Sequence, residues 1–189
     1  MNKQTMTACV LSVGIALIAS AQESPFFQAS LTPDYAIYDR TERIEGVTLS
    51  VWGENPQASL AIGLVNGSTG ASSGLSIGIL NYAESYTGVQ WAFANFTEGD
   101  CSGWQGGPVF GLIVSVANYA GGNMSGVQAG VVNMAGTLSG LQLGLINYTR
   151  EADGGVQIGL VNLIEENKEW FTQLPNELAP GMILANWRF

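Results

Sequence analysis

Histidine is missing from all 189 residues, and with it goes the commonest general base and metal ligand. Cysteine occurs twice, at Cys9 and Cys101. Cys9 lies in a leader-like start: Lys3 supplies a positive charge, residues 8–18 are apolar, and Ala19-Ser20-Ala21 reads as a small-x-small cleavage site. The expectation is a signal peptide over residues 1–21 and a single β-repeat domain over 22–189. The apolar run is well short of the roughly 20 residues that a membrane-spanning helix needs. Cys9 also stands at the start of that run rather than just after it, which argues against lipoprotein processing. The exported chain keeps one thiol, so an internal disulfide framework is excluded. The usual nucleophile–histidine triads and a tetrahedral zinc site cannot be assembled from one cysteine and no histidine. No cofactor is implied, and enzymatic activity is not expected.

Charge is also scarce, and it is one-sided. Without Lys3 the chain holds five basic and fifteen acidic residues, a net charge of −10. Such a balance argues against nucleic acid as a partner. From Asn55 to Thr149 the only charged residues are Glu84, Glu98 and Asp100. A surface in contact with water normally carries interspersed charges, so something other than water is expected to cover part of this one.

What the sequence has in abundance is a repeat. Aligned on asparagine, Gly-aliphatic-Gln-x-Gly-aliphatic-x-Asn recurs at 14–15-residue intervals, in about eight copies counting worn ones. Clear copies are Gly126-Val127-Gln128-Ala129-Gly130-Val131-Val132-Asn133 and Gly140-Leu141-Gln142-Leu143-Gly144-Leu145-Ile146-Asn147. The repeat asparagines are Asn66, Asn81, Asn95, Asn118, Asn133, Asn147 and Asn162, and a divergent copy spans 46–53. One interval is long: Asn95 to Asn118 is 23 residues and contains Pro108 and Phe110. It fits either one long strand or an inserted hairpin, with Pro108 at an edge or turn because it cannot donate to a ladder.

Each copy alternates with a period of two, which marks a strand. Leu141, Leu143 and Leu145, followed by Asn147, would line one face. Gly140, Gln142, Gly144 and Ile146 would line the other. Eight residues at ~3.3 Å each span about 26 Å. Adding 26–31 and 181–189 brings the expected total to nine or ten strands.

Two all-β architectures accept this pattern. A parallel β-solenoid stacks the copies, with the aliphatic face as core and asparagine as an internal ladder. An antiparallel β-barrel of about 8–10 short strands sets aliphatics toward lipid and the Gln face toward a lumen. Identical copies favour the solenoid. The uncharged middle, the placing of charge in turns, and the ending Ile183-Leu184-Ala185-Asn186-Trp187-Arg188-Phe189 favour the barrel. Trp187 and Phe189 would then resemble the terminal aromatics that mark outer-membrane barrels for insertion. Closure would also remove exposed edges. The barrel is the preferred reading and the solenoid its alternative.

The Gly-x-Gln-x-Gly-x-x-Asn copies resemble the bacterial, Leptospira-type surface repeat-containing proteins. The opening strand Gly46-Val47-Thr48-Leu49-Ser50-Val51-Trp52-Gly53 and the close from Leu174-Pro175 to the Asn-aromatic ending at Asn186-Trp187 extend the likeness. It covers about residues 44 to 189 and departs at 108–110. The resemblance implies an exported or surface-associated protein, and the family brings no established enzymatic activity or ligand.

Few residues offer chemistry. Cys101 follows Glu98-Gly99-Asp100 in an expected turn, where a tolerated loop residue outweighs a reactive thiol. The acidic pairs Glu98/Asp100, Glu151/Asp153 and Glu165/Glu166 read as solvated turn charges rather than calcium ligands. Asn66, Asn95, Asn123 and Asn147 match the glycosylation acceptor pattern, but three of them are the repeat's own asparagine. The Gln column, Gln90, Gln105, Gln128, Gln142 and Gln157, is the best candidate lumen lining or binding face, against a purely structural ladder. The functional expectation is an exported outer-membrane or cell-surface β-repeat protein with a structural or interaction role, extending to a narrow pore. Its alternative is a secreted solenoid acting as a binding or adhesion module. A barrel would make the lipid bilayer and outer-membrane assembly machinery its partners; the ligand is not written in the sequence.

Overall fold

The computed structural model describes residues 24–107 and 115–189. The expected signal peptide, Pro108 and Phe110 lie outside the described residues. The remainder is all β and winds into a β-solenoid of about 7 turns. Its strands are β1 (Phe27–Thr32), β2 (Tyr35–Ala36), β3 (Val47–Glu54), β4 (Leu60–Ile77), β5 (Leu80–Trp91), β6 (Ala94–Thr97), β7 (Cys101–Gly106), β8 (Ser115–Ala152), β9 (Gly155–Ile164) and β10 (Gly181–Arg188).

The preferred barrel is overturned by the direction of pairing. β3 pairs parallel with β4, β4 with β5, β5 with β6 and β7, β6 and β7 with β8, and β8 with β9. Among the described strands only those at the ends run antiparallel, β2 on β1 and β10 on β9. The physical reason lies in the repeat itself. Parallel stacking sets Asn81 beside Asn95, Gln90 beside Gln105 and Gly88 beside Gly103. Neighbours in an antiparallel hairpin would run the motif in opposite senses, and these like pairs would be lost. The segments read as hairpin turns are bends and short strands within one continuous coil. β8 alone runs through 38 residues.

Each turn has three short runs, typified by one turn of β8. Face A is 126–130 and face B begins at Asn133. Face C is the polar stretch around 137–139. A glycine opens face A in left-handed backbone, with φ of 110° to 150° at Gly74, Gly88, Gly103, Gly126 and Gly140. A Cβ on Gly140 would stand 2.1 Å from the Gly126 carbonyl oxygen of the turn before, so no other residue fits. Between the second glycine and the asparagine, two successive residues point outward and turn the corner from A to B. Gly107 and Ser115 meet near that corner, where a Cβ on Gly107 would stand 3.0 Å from the Ser115 Cα. The described part of residues 103–118 belongs to two strands, β7 and β8.

The inside of the coil is unusual in kind. Gln90, Gln105, Gln128, Gln142 and Gln157 and the repeat asparagines are at most 2% exposed. Among the described residues, buried polar side chains outnumber buried apolar ones. The apolar interior is a narrow seam on faces B and C, formed by Ala83, Tyr86, Cys101, Ala120, Met124 and Leu138 among others. Leu145 and Ile146 are exposed, whereas Asn147 is buried with Gln142. The aliphatic core expected of a solenoid is therefore inverted. The aliphatics face out and the amides face in; the barrel reading had assigned this sidedness to the glutamines, but it set Asn147 with the aliphatics and Ile146 with the glutamines, and the structure exchanges those two.

Candidate functional site

The motif residues make the interior, so their geometry shows what they can and cannot do. On face A each glutamine donates Nε2–H to the Oε1 of the glutamine one turn earlier. Gln105 donates to Gln90, Gln128 to Gln105, Gln142 to Gln128 and Gln157 to Gln142, each at 2.8 Å. The second N–H crosses the coil to face B, reaching the carbonyl oxygen of Met134, Tyr148 or Leu163 from Gln128, Gln142 and Gln157. Each glutamine thus stacks the turns and braces two faces of one turn.

The asparagines form a second ladder, donating the other way. Asn66 donates to Asn81, Asn81 to Asn95, Asn95 to Asn118, Asn118 to Asn133, Asn133 to Asn147 and Asn147 to Asn162, at 2.8–3.0 Å. Their remaining N–H bonds mostly reach a face-A carbonyl, as from Asn147 to Ile158. The second glycine of each motif makes room for this ladder. A Cβ at Gly144 would lie 2.5 Å from Asn133 Nδ2.

The Gln column is consequently neither a lumen lining nor an exposed binding array. Its side chains fill the coil, which leaves no pore through this interior and corrects the narrow-pore expectation. Nor does a parallel coil give grounds for the bilayer and assembly-machinery partners, which followed only from a barrel. Three acceptor-pattern asparagines, Asn66, Asn95 and Asn147, are sealed in the ladder, whereas Asn123 is exposed.

Trp187 and Phe189 end a cap. β10 lies antiparallel on β9, Trp187 opposite Val156. Trp187 Nε1 donates to the Pro175 carbonyl at 2.9 Å, and the Phe189 amide donates to Asn176 O at 2.8 Å. Arg188 binds Glu166 and Glu177 and pins the same cap.

Cys101 is not in a turn. It opens β7 pointing inward, between Tyr86 and Met124 in neighbouring turns, and is 1% exposed. Burial pushes its thiol up to about 12, slightly offset by a hydrogen bond with Thr97, so it is protonated and unreactive at neutral pH. No group of three or more His, Cys, Asp or Glu side chains suited to a metal exists among the described residues. Asp100, in one of the acidic turns, instead accepts the Asn123 amide at 2.8 Å.

The remaining candidate is the outside, which motif reading passed over. At the A–B corner one large residue projects from every turn: Val51, Leu64, Ile79, Phe93, Val116, Val131, Leu145 and Leu160. These are between 36% and 62% exposed. The ridge they make is about 34 Å long at ~4.8 Å per layer. Beside it face A presents Leu49, Ile62, Leu75, Ile77 and Ile158 to solvent. At the N-terminal end the β1–β2 hairpin forms with β3 an open hollow lined by Leu31, Tyr35, Ile37, Leu49 and Val51 together with the Asp34 carboxylate. The signal that could have found the surface was the charge-free stretch itself. Comparison with protein-family models, with curated proteins and with solved structures returns no match.

Proposed function

We propose that this chain is an exported β-solenoid acting as a non-catalytic binding or adhesion module at the bacterial outer membrane or cell surface. The observation that carries the reading is the apolar ridge, one large exposed residue in every turn among the described residues, raised over an interior sealed by its own amide ladders. Monomeric soluble proteins seldom expose contiguous apolar patches beyond a few hundred Å², and such a patch is where association gains most from leaving water. The leader-like residues 1–21 and the resemblance to surface repeat-containing proteins support the location. The sealed interior leaves only the exterior for recognition.

Fractionation of the expressing cell tests this reading. The protein is expected at the cell surface, accessible to added protease on intact cells. It should migrate identically on heated and unheated SDS gels, unlike a barrel. Leu145→Glu with Ile79→Glu should abolish surface retention while the β-rich circular dichroism spectrum persists. A cytoplasmic location, or retention indifferent to both substitutions, would overturn the proposal.

A further inference from the structure

The C-terminal cap carries an exposed apolar feature of its own, separate from the ridge. Between β9 and β10, residues 168–176 are exposed without a break, and all nine lie among the described residues. Lys168, Glu169, Thr172, Gln173 and Asn176 suit such a place, but three neighbours do not. Trp170, Phe171 and Leu174 are 57%, 51% and 52% exposed. The Trp170 and Phe171 rings touch, with centroids 6.0 Å apart and planes inclined at 58°. Phe171 N–H donates to Leu178 O, Leu178 N–H donates to Trp187 O, and Trp187 lies opposite Val156 of β9. The loop therefore stands three pairings beyond β9, at the C-terminal extremity of the molecule. Four layers, about 19 Å at ~4.8 Å each, separate β10 from the turn of Asn118, to which Gly107 and Ser115 belong.

The tip is held in shape. Among the described residues only Phe171 and Leu184 place a non-glycine residue at positive φ, 61° and 71°, a region that bulky side chains rarely adopt. The 2.9 Å bond from Phe171 N–H to Leu178 O fixes the backbone there. Below the tip, Thr172 Oγ1 donates to Glu169 Oε2 at 2.6 Å and Asn176 N–H donates to Gln173 O at 2.9 Å. Trp187 Nε1, bonded to the Pro175 carbonyl, ties the far side of the loop to β10. The coil offers the rings no room inside, because the amide ladders fill it. Backbone held in so sparse a region persists only where its surroundings impose it, and such places gather at binding sites.

Area and charge choose between partners. Half exposed, the three side chains offer roughly 300 Å², well below the ~800 Å² per partner of a standard stable protein interface. A bilayer demands no matching shape, and Trp, Phe and Leu are the side chains that enter its boundary. Charge agrees. Lys168 and Glu169 balance within the loop, and the flanking Glu166 and Glu177 are both bound by Arg188. This end of an acidic molecule is therefore close to neutral, and it lacks the basic cluster that selects anionic headgroups. We infer that the 168–176 loop is a membrane-interface anchor. Trp170, Phe171 and Leu174 enter the boundary between headgroups and hydrocarbon of a zwitterionic phospholipid bilayer, and the coil stands end-on to it. The inference shares with the reading above only the surface location. An anchor of this size binds marginally and reversibly, so retention still needs the ridge.

Flotation of the protein, purified as the expressing cell delivers it, with neutral phosphatidylcholine vesicles gives the test. The wild type should float, and its tryptophan emission should shift to the blue. Trp170→Ser with Phe171→Gly should lower the partition coefficient at least tenfold. Glycine suits the left-handed backbone, so the β-rich circular dichroism spectrum should persist. Trp170→Phe should keep the flotation and lose most of the blue shift, which assigns the shift to one ring among the five tryptophans of the chain. Leu145→Glu with Ile79→Glu should float as the wild type does. A wild type that stays at the bottom of the gradient overturns the anchor. Flotation that survives the loop pair and fails with the ridge pair overturns it too. Self-association abolished by the loop pair, without flotation, would make a protein the occupant instead. A chain that fails to float yet is found at the cell surface leaves the binding-module reading intact. One that floats yet fractionates with the cytoplasm overturns that reading and leaves the lipid contact standing.

Discussion

Gln128 shows how far this protein departs from the usual division of labour between buried and exposed side chains. Its Nε2 donates to Gln105 and to the Met134 carbonyl, and its Oε1 accepts from Gln142. Replacing it with leucine keeps the volume and adds apolar surface, which in an ordinary core would be tolerated. Here it strands Gln105 Oε1 and Gln142 Nε2 in a dry interior, at about 1–3 kcal/mol each. Gln128→Leu should cost on the order of 3 kcal/mol or more in urea unfolding, whereas Leu145→Ala on the ridge should stay near ~0.5 kcal/mol. Cys101 adds a pH effect. Its thiol is held up at about 12 by burial, against ~8.5 in an unfolded chain. The folded state therefore keeps a proton that the unfolded state gives up. This contribution is intact below about pH 8.5 and is lost as pH rises toward 12. Burial acts in the same direction on Tyr86. Urea midpoints measured from pH 8 to 11 should fall, and less steeply in Cys101→Ser. The native thiol should also resist thiol reagents at pH 8 until the chain is unfolded.

Runs and corners obey the glycines. Gly140 is left-handed and pressed against the turn before it, whereas Gly154, at φ 71°, has nothing within 4 Å of a would-be Cβ. Gly154→Ala should therefore cost only the local backbone penalty of about 1 kcal/mol. Gly140→Ala must force two turns apart and should leave little folded protein at 25 °C by circular dichroism. This element was also the most legible in the sequence. The Gly-x-Gln-x-Gly-x-x-Asn spacing announced strands of 14–15-residue period, and the even asparagine intervals announced a repeat, with stacking only as the alternative to a barrel. The direction of stacking was harder to read, because the charge-free middle suits lipid-facing strands and an inside-out coil equally well. Alternation with period two shows that Gln142 and Leu143 face opposite ways without showing which is inside. The double-outward corner at Leu145 and Ile146 returns Asn147 to the glutamine side, and a strict period of two cannot express that slip. The exposed ridge was visible only as missing charge, and the aromatic tip of the cap depends on the left-handed backbone at Phe171, which no motif signals.

At the scale of the whole molecule the solenoid has two ends, and both are covered. At one, β1 and β2 lie over β3. At the other, β10 runs against the direction of every turn, pinned by Arg188 to Glu166 and Glu177. Parallel strands with free edges recruit further strands, so the caps are what stop a self-templating stack from continuing. Removing residues 165–189 should expose the β9 edge and produce fibres that bind thioflavin T and diffract at about 4.8 Å. Persistence of a soluble truncated chain would show that the ladders alone terminate growth.

The opposed sense of the two amide ladders bears on how such a chain can lengthen. Glutamine bonds point toward the N-terminal end and asparagine bonds toward the C-terminal end, so the dipoles of each copy largely cancel within that copy. A coil with both ladders aligned would accumulate a field with every added layer, and its ends would become harder to cap as it grew. In this arrangement a duplicated stretch of 14 or 15 codons inserts one electrically neutral layer, matched above and below by the same residues. Gain and loss of whole copies are therefore close to neutral genetic events, and the length of the outer ridge can vary between descendants while its ends stay the same.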